Sequence, residues 1–295
     1  VLYLHDIWCN KNYTEWKGEM DMDNMTAKVS CFARAYHFKN NEEWIFRDDK
    51  AEALLGNSDY AAIAENMTKG ISFFAPGFEG TAEEALGYIV NHQLAPSVLG
   101  RSAFCEKHLK NEIQLGCRQY VLFAAGLDTY AYRERQEGLT VFELDLPEML
   151  EDKTRRAEAA GLVCQNKTVP VPCNLTEEDW ADKLLAGGFQ SGKKAFGSLL
   201  GISYYLPKEA FRHLILKIAK LWTQGSVICL DYPLINGGEA SERNRQLASA
   251  ANEPMQAQYS YEEMEALLAE AGFLIYEHVQ EVKGVGYLLA NKHLG

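Results

Sequence analysis

Apolar residues gather along this chain in two rhythms, and the rhythm changes near residue 118. Over 27–117 they recur every three or four positions, the spacing of helices with one buried face. The stretches 83–98 and 102–116 show it, with Phe104, Leu109, Ile113 and Leu115 on the inner side of the second. A segment punctuated by glycine and proline, 68–80, interrupts them. Beyond 118, short apolar runs at 120–125, 140–144, 167–171, 196–202 and 226–230 alternate with amphipathic segments at 147–160, 177–186 and 208–221. Runs of that length are too short for helices and read as buried strands. Gly161, Gly187-Gly188 and Gly225 stand where helices are expected to stop. A last helix, 261–271, opens on Ser260 as its N-cap, and two final strands, 273–279 and 285–290, flank a Lys-Gly turn. Alternation of this kind predicts an α/β fold: a doubly wound, mostly parallel sheet with right-handed crossovers.

Composition narrows the function classes. Of 295 residues, 47% are hydrophobic and 24% charged, ordinary for a globular protein of one domain with additions. The net charge of −12 argues against nucleic acid as a partner, since phosphate neutralisation needs a basic face. Seven cysteines form no C-x-x-C pair, so they read as reduced thiols in a cytoplasmic protein, with no metal site. No apolar run approaches the ~18 residues that would span a bilayer, and no secretory signal is visible. The chain opens on valine, and residues 1–26 read as an N-terminal extension of uncertain status. A helical cover (27–117) and a core (118–295) are expected to follow. The sequence does not indicate an oligomeric state.

The chemistry concentrates in 119–147. A strand ends at Gly126, Leu127-Asp128-Thr129 begins a new element, and a second strand delivers Asp145 19 residues after the glycine. In an open α/β sheet a glycine turn lets the backbone approach a ligand, and an acid at the end of the next strand accepts from ribose hydroxyls. Dinucleotide folds carry G-x-G-x-x-G to cradle a pyrophosphate, and here the turn is Ala124-Ala125-Gly126-Leu127-Asp128. No phosphate-binding P-loop occurs either. A nucleoside cofactor without phosphate, such as S-adenosyl-L-methionine, fits better. The same spacing also suits an ordinary strand–turn–helix in which Asp145 caps the helix starting at Pro147.

The segment resembles the first motif of the leucine carboxyl methyltransferase and polyketide O-methyltransferase family. Members read approximately R-Q-V-V-x-L-G-A-G-L-D-T-R-A-Y-R, then F-E-V-D-L-P. This chain has Arg118-Gln119, Ala125-Gly126-Leu127-Asp128-Thr129, Ala131-Tyr132-Arg133 and Phe142-Glu143-Leu144-Asp145-Leu146-Pro147. The likeness runs more loosely from Met25 to the C-terminus, through Arg34-Ala35, Phe46-Arg47-Asp48, Lys153-Thr154-Arg155, Asn174-Leu175 and Tyr205-Leu206. It implies a Rossmann-like seven-stranded sheet of order 3-2-1-4-5-7-6 with one antiparallel edge strand. It also implies an S-adenosylmethionine-dependent O-methyltransferase acting on a carboxylate or hydroxyl.

The resemblance assigns cofactor contacts at the strand ends: Ala124, Gly126 and Asp128 in the turn, Asp145 with Glu143 deeper on the same face, and Leu146. Arg101, expected to open the helix before the first strand, would fork onto the methionine carboxylate. Arg34 would be a second basic residue of the pocket. Asn174 stands where the family has aspartate, its amide oxygen accepting from the adenine amino group, with Leu175 on the adenine face. Leu200 and Tyr130 depart from the family, which has glutamate and arginine there. Tyr204 and Tyr205 would flank the reactive methyl as the catalytic pair, since aromatic rings favour a cation and exclude water. Gly201-Ile202-Ser203-Tyr204-Tyr205 lacks the second glycine of a hydrolase elbow. No general base is evident: His92, His108 and His213 fall on expected helices. The acceptor would be a small molecule or a protein carboxyl terminus, met by 60–100 and 232–259. Two other readings stay open, a nucleotide- or NAD(P)-binding oxidoreductase and a non-catalytic relative.

Overall fold

The computed structural model describes residues 24–250 and 252–293. Most of the expected N-terminal extension lies outside them. Met25 and Thr26 do not belong to an extension: they open the first helix, and Met25 is fully buried.

The cover comprises α1 (Met25–Asn40), α2 (Ala51–Leu55), α3 (Asn57–Lys69), α4 (Ile71–Phe74) and α5 (Ala82–Tyr88), and runs into α6 (Ala95–Gln114). Between α5 and α6 the backbone widens into a π-helical segment, Ile89–Leu94. Pro96 explains the widening, because it brings no N–H to the i→i−4 ladder at the start of α6. The helical rod is therefore unbroken from Ala82 to Gln114, where two separate helices were expected. Arg101 does not open a helix. It lies in the second turn of α6, where the chain passes from the cover core (Leu99) to the core under the sheet (Cys105, Leu109).

Seven strands follow: β1 (Gln119–Phe123), β2 (Thr140–Asp145), β3 (Lys167–Pro172), β4 (Ala195–Leu199), β5 (Val227–Pro233), β6 (Phe273–Val282) and β7 (Val285–Lys292). Their order is β3-β2-β1-β4-β5-β7-β6. The first five are parallel; β7 is antiparallel to both neighbours. The antiparallel strand is thus not at the edge, as expected, but between β5 and β6, because the β6–β7 hairpin folds its second arm inward. The crossover helices are α7 (Tyr130–Arg133), α8 (Pro147–Ala159), α9 (Trp180–Ala186), α10 (Lys208–Leu221), α11 (Gly238–Ala250) and α12 (Tyr261–Glu270). Ser260 caps α12 as expected, in a reciprocal box with Glu263. α11 lies within 232–259, which carries no readable pattern.

Both faces of β1 are buried, which is why it reads as one apolar run. Val121 and Phe123 meet the core of Phe142, Trp180, Phe211 and Trp222; Tyr120 and Leu122 meet that of Leu109, Val141 and Phe196. The strand order reverses between β1 and β4, and there the C-terminal strand ends open towards the cover. Among the described residues no helix is long and apolar enough to cross a membrane, and no group of His, Cys, Asp and Glu could hold a metal ion.

Candidate active site

A cavity of about 500 Å³ lies over this switch point, between the strand ends and the cover. Its floor is the β1 turn. Ala124 has φ +58° and Gly126 φ +49°, so the chain leaves the strand through two left-handed residues. Gly126 is needed for its backbone: at φ +49° an L side chain is strained, while a Cβ there would come only into ordinary contact with the Cβ of Ala27 on α1, at 3.4 Å. The Gly126 N–H donates to Asp145 Oδ2 at 2.7 Å, and the Leu146 N–H donates to Oδ1 at 2.8 Å. Asp145 makes no capping bond to α8, which sets aside the helix-cap alternative. Burial lifts its carboxyl above the usual value, and the two amides draw it part of the way back. Each oxygen keeps a second lone pair for a ligand.

Other residues expected from the sequence are distributed less simply. Asp128 lines the cavity, and its Oδ1 accepts from the Tyr130 N–H at 2.8 Å, starting α7. Leu146, Leu175 and Leu200 line it with apolar surface. Glu143 does not reach it. Its carboxylate is buried against Lys153 Nζ at 2.9 Å, so the residue two positions before Asp145 holds α8 onto the sheet instead. Asn174 lines the cavity, but its amide oxygen accepts from the N–H and the hydroxyl of Thr176, at 3.0 and 2.8 Å. The expected acceptance from an adenine amino group is therefore already satisfied within the chain. Arg34 also lines the cavity, with Nε on Asp48 Oδ2 at 2.8 Å and Nη2 on the Leu127 carbonyl at 2.6 Å.

Asp48 proves to be a junction. Its buried carboxylate also accepts from the Thr129 hydroxyl at 2.6 Å and the Ala51 N–H at 3.1 Å, and pairs with Arg133 at 3.3 Å. Burial would raise its pKa, but Arg34, Arg133 and Thr129 together hold it below the usual carboxylate range. Arg133 also pairs with Glu106, whose carboxyl burial pushes up to about 7 against that attraction.

The residue the sequence reading missed is Asp231, fully buried on β5. Its Oδ2 accepts from Arg101 Nη1 at 2.6 Å and from the Tyr204 hydroxyl at 2.7 Å; its Oδ1 accepts from the Gly201 N–H at 2.6 Å. Gly201, at φ +72°, leaves room for the guanidinium: a Cβ there would sit 3.1 Å from Arg101 Nη2. The available signal was a lone carboxylate in the apolar run Val227–Pro233, which a fold can bury only with partners. Tyr204 is consequently a structural donor, with its pKa pushed well up by burial and by Asp231. Tyr205 lines the cavity, its pKa raised to about 12 chiefly by burial. Both phenols stay protonated at neutral pH, so neither serves as a base.

The family model for leucine carboxyl methyltransferase matches residues 27–219. The chain belongs to the leucine carboxyl methyltransferase family. A relative from Bacillus subtilis (strain 168), named "Putative S-adenosyl-L-methionine-dependent methyltransferase YktD", is 37% identical over 268 residues, covering 87% of this chain and 88% of that one. A Mycolicibacterium smegmatis relative of the same designation, without the final word, is 31% identical over 193 residues, covering 63% of this chain and 61% of its own. A crystallised DUF574 family protein from Streptomyces avermitilis shares the fold at TM-score 0.59 and 11% identity, covering 92% of this chain and 100% of its own. As a family member the protein is an S-adenosylmethionine-dependent methyltransferase.

The residues present fit that cofactor. Asp145 has acceptor positions open to the cavity, beside a turn whose backbone lines it. Leu146, 38% exposed, and Leu175 offer apolar faces for a purine. Arg101 spends one nitrogen on Asp231 and keeps other donors for a carboxylate. Leu200 presents apolar surface where the resemblance implied a glutamate.

Proposed function

We propose that the protein transfers the methyl group to an oxygen atom of a small acceptor bound beneath the helical cover. The observation that carries this is the continuity of one cavity from the Asp145 cradle to an apolar chamber walled by Met67, Phe73, Phe74, Leu94 and Leu247. S-Adenosylmethionine supplies a methyl carbon on a sulfonium, already electrophilic. What remains for the chain is alignment and exclusion of water. Asp145 would hold the ribose and Arg101 the carboxylate, Asp231 fixing the guanidinium from behind. Tyr205 and the cover's apolar side chains would keep water from the reacting atoms. A chamber built from three cover segments and α11 suits a small molecule better than a protein terminus.

S-Adenosylhomocysteine and NAD, each added to the apo protein in a thermal unfolding assay, test the cofactor half. A ligand at 100 times its Kd adds about 2.7 kcal/mol. Stabilisation by S-adenosylhomocysteine alone is expected; stabilisation by NAD alone would restore the oxidoreductase reading.

A further inference from the structure

Among the described residues, five charged side chains line the cavity: Arg34, Arg101, Asp128, Asp145 and Glu253. Four have duties already described. Both arginines are matched by buried carboxylates, Asp48 and Asp231, and the two aspartates hold the β1 turn. Glu253 is different. It stands just past α11, where Asn252 at φ +61° ends the helix and the Glu253 N–H donates to the Ala248 carbonyl at 3.0 Å. Two residues on, Met255 lines the same chamber, and the Gln256 N–H ties the segment to the Tyr204 carbonyl at 2.7 Å. The Glu253 carboxylate accepts from the N–H of Thr26 at 3.2 Å and from the Thr26 hydroxyl, next to Tyr205. It is half-buried and lines the chamber with Met25, Tyr205 and Met255, and no cation among the described residues is bonded to it.

Such a carboxylate has two consequences for an acceptor. A second carboxylate brought into the same enclosed space would be repelled, with no unmatched cation among the described lining residues to compensate. A hydroxyl would be welcomed, since Glu253 can accept its hydrogen bond. None of the other candidate bases serves: no histidine among the described residues lines the cavity, and Tyr204 and Tyr205 hold their protons.

We propose that the acceptor is an uncharged, mainly apolar molecule bearing a hydroxyl group, and that Glu253 takes the hydroxyl proton during transfer. This rests on the methyltransferase reading above and refines its acceptor. The acceptor oxygen forms a bond to the methyl carbon as the carbon–sulfur bond breaks. The bonding pair stays on sulfur, giving neutral S-adenosylhomocysteine, and the proton ends on Glu253.

The test uses the whole protein with S-adenosylhomocysteine and a matched pair of probes, 2-naphthol and 2-naphthoate, by calorimetry. Naphthol is expected to bind at least about tenfold more tightly than naphthoate, the ratio that a differential interaction equivalent to one pKa unit sets. In Glu253→Gln the ratio should fall to within about threefold, because naphthoate gains, while the affinity for S-adenosylhomocysteine stays within about threefold. Preference for naphthoate, failure of both probes to bind, or an unchanged ratio in the variant overturns the inference. So does a tenfold loss of S-adenosylhomocysteine affinity in the variant, which would put Glu253 on the donor's ammonium group. If S-adenosylhomocysteine fails to bind the wild-type protein, the methyltransferase reading itself falls; the probe outcomes then do not arise.

Discussion

Replacing Asp231 by asparagine changes one oxygen into an amine at nearly constant volume. The wild-type carboxylate has no solvent exposure and serves three donors at 2.6, 2.7 and 2.6 Å. However the amide is turned, its NH2 faces a donor, either the Gly201 N–H or the Arg101–Tyr204 pair. One hydrogen bond is lost outright, at about 1.5–3 kcal/mol for a charged acceptor. The Arg101 guanidinium, 16% exposed, is also left without its counter-charge, and stranding one partner of a buried pair costs about 3–5 kcal/mol. The two figures overlap in origin, so the expected loss is about 3–5 kcal/mol in urea unfolding, not their sum. Arg101→Met in the Asp231→Asn background removes the stranded charge, and should recover about 2 kcal/mol relative to additivity. A single-variant loss below 1 kcal/mol, or an additive double variant, would show that the cluster does not couple α6 to β5 as argued.

Asp145→Ala should weaken S-adenosylhomocysteine at least about tenfold by calorimetry, since two bonds to a charged acceptor are worth ~1.5–3 kcal/mol each before reorganisation; an unchanged Kd would confine Asp145 to organising the turn. Ala124→Gly should raise stability by about 0.5–1 kcal/mol, because an L-residue at φ +58° costs ~1–2 kcal/mol and the added chain entropy returns only part of it; a destabilised variant in thermal unfolding would mean the methyl packs usefully. For Glu106, folding raises the carboxyl from 4.5 to about 7, so between those values the folded state holds the extra proton. Stability should therefore fall as pH rises through that window, with a contribution of up to ~1.4 kcal/mol per pH unit that Glu106→Gln removes; a wild-type and variant difference flat in pH would refute the assignment.

The centre of the sheet was legible because burial on both faces gives β1, β4 and β5 short, largely apolar runs. α10 was read to the residue because its apolar stripe is strong. α11 was not, because Ser241-Glu242-Arg243-Asn244-Arg245-Gln246 offers no stripe: that helix roofs the cavity and meets the cover core mainly through Leu247. The placement of Gly126 and Asp145 together at the strand ends was legible from spacing and resemblance. Glu143 misled because strand alternation gives the side of a sheet, not the depth, and Lys153 on the next helix waits at that depth. Asp231 and Glu253 act through partners 130 and 227 positions away in sequence, and no local pattern encodes such distances.

The Asp48 junction has a thermodynamic corollary. One buried carboxylate of the cover holds Arg34 on the Leu127 carbonyl and meets Thr129 and Arg133 at the two ends of α7, which leads out of the turn that forms the cavity floor. Order in the cover and order in the floor are thus a single equilibrium. Free energy gained by a ligand on the floor is shared with the roof, and by reciprocity whatever loosens the roof is felt as lost affinity below. Hydrogen exchange at α1 and α2 should then respond to S-adenosylhomocysteine as strongly as exchange at the β1 turn, although those helices need share no hydrogen bond with it.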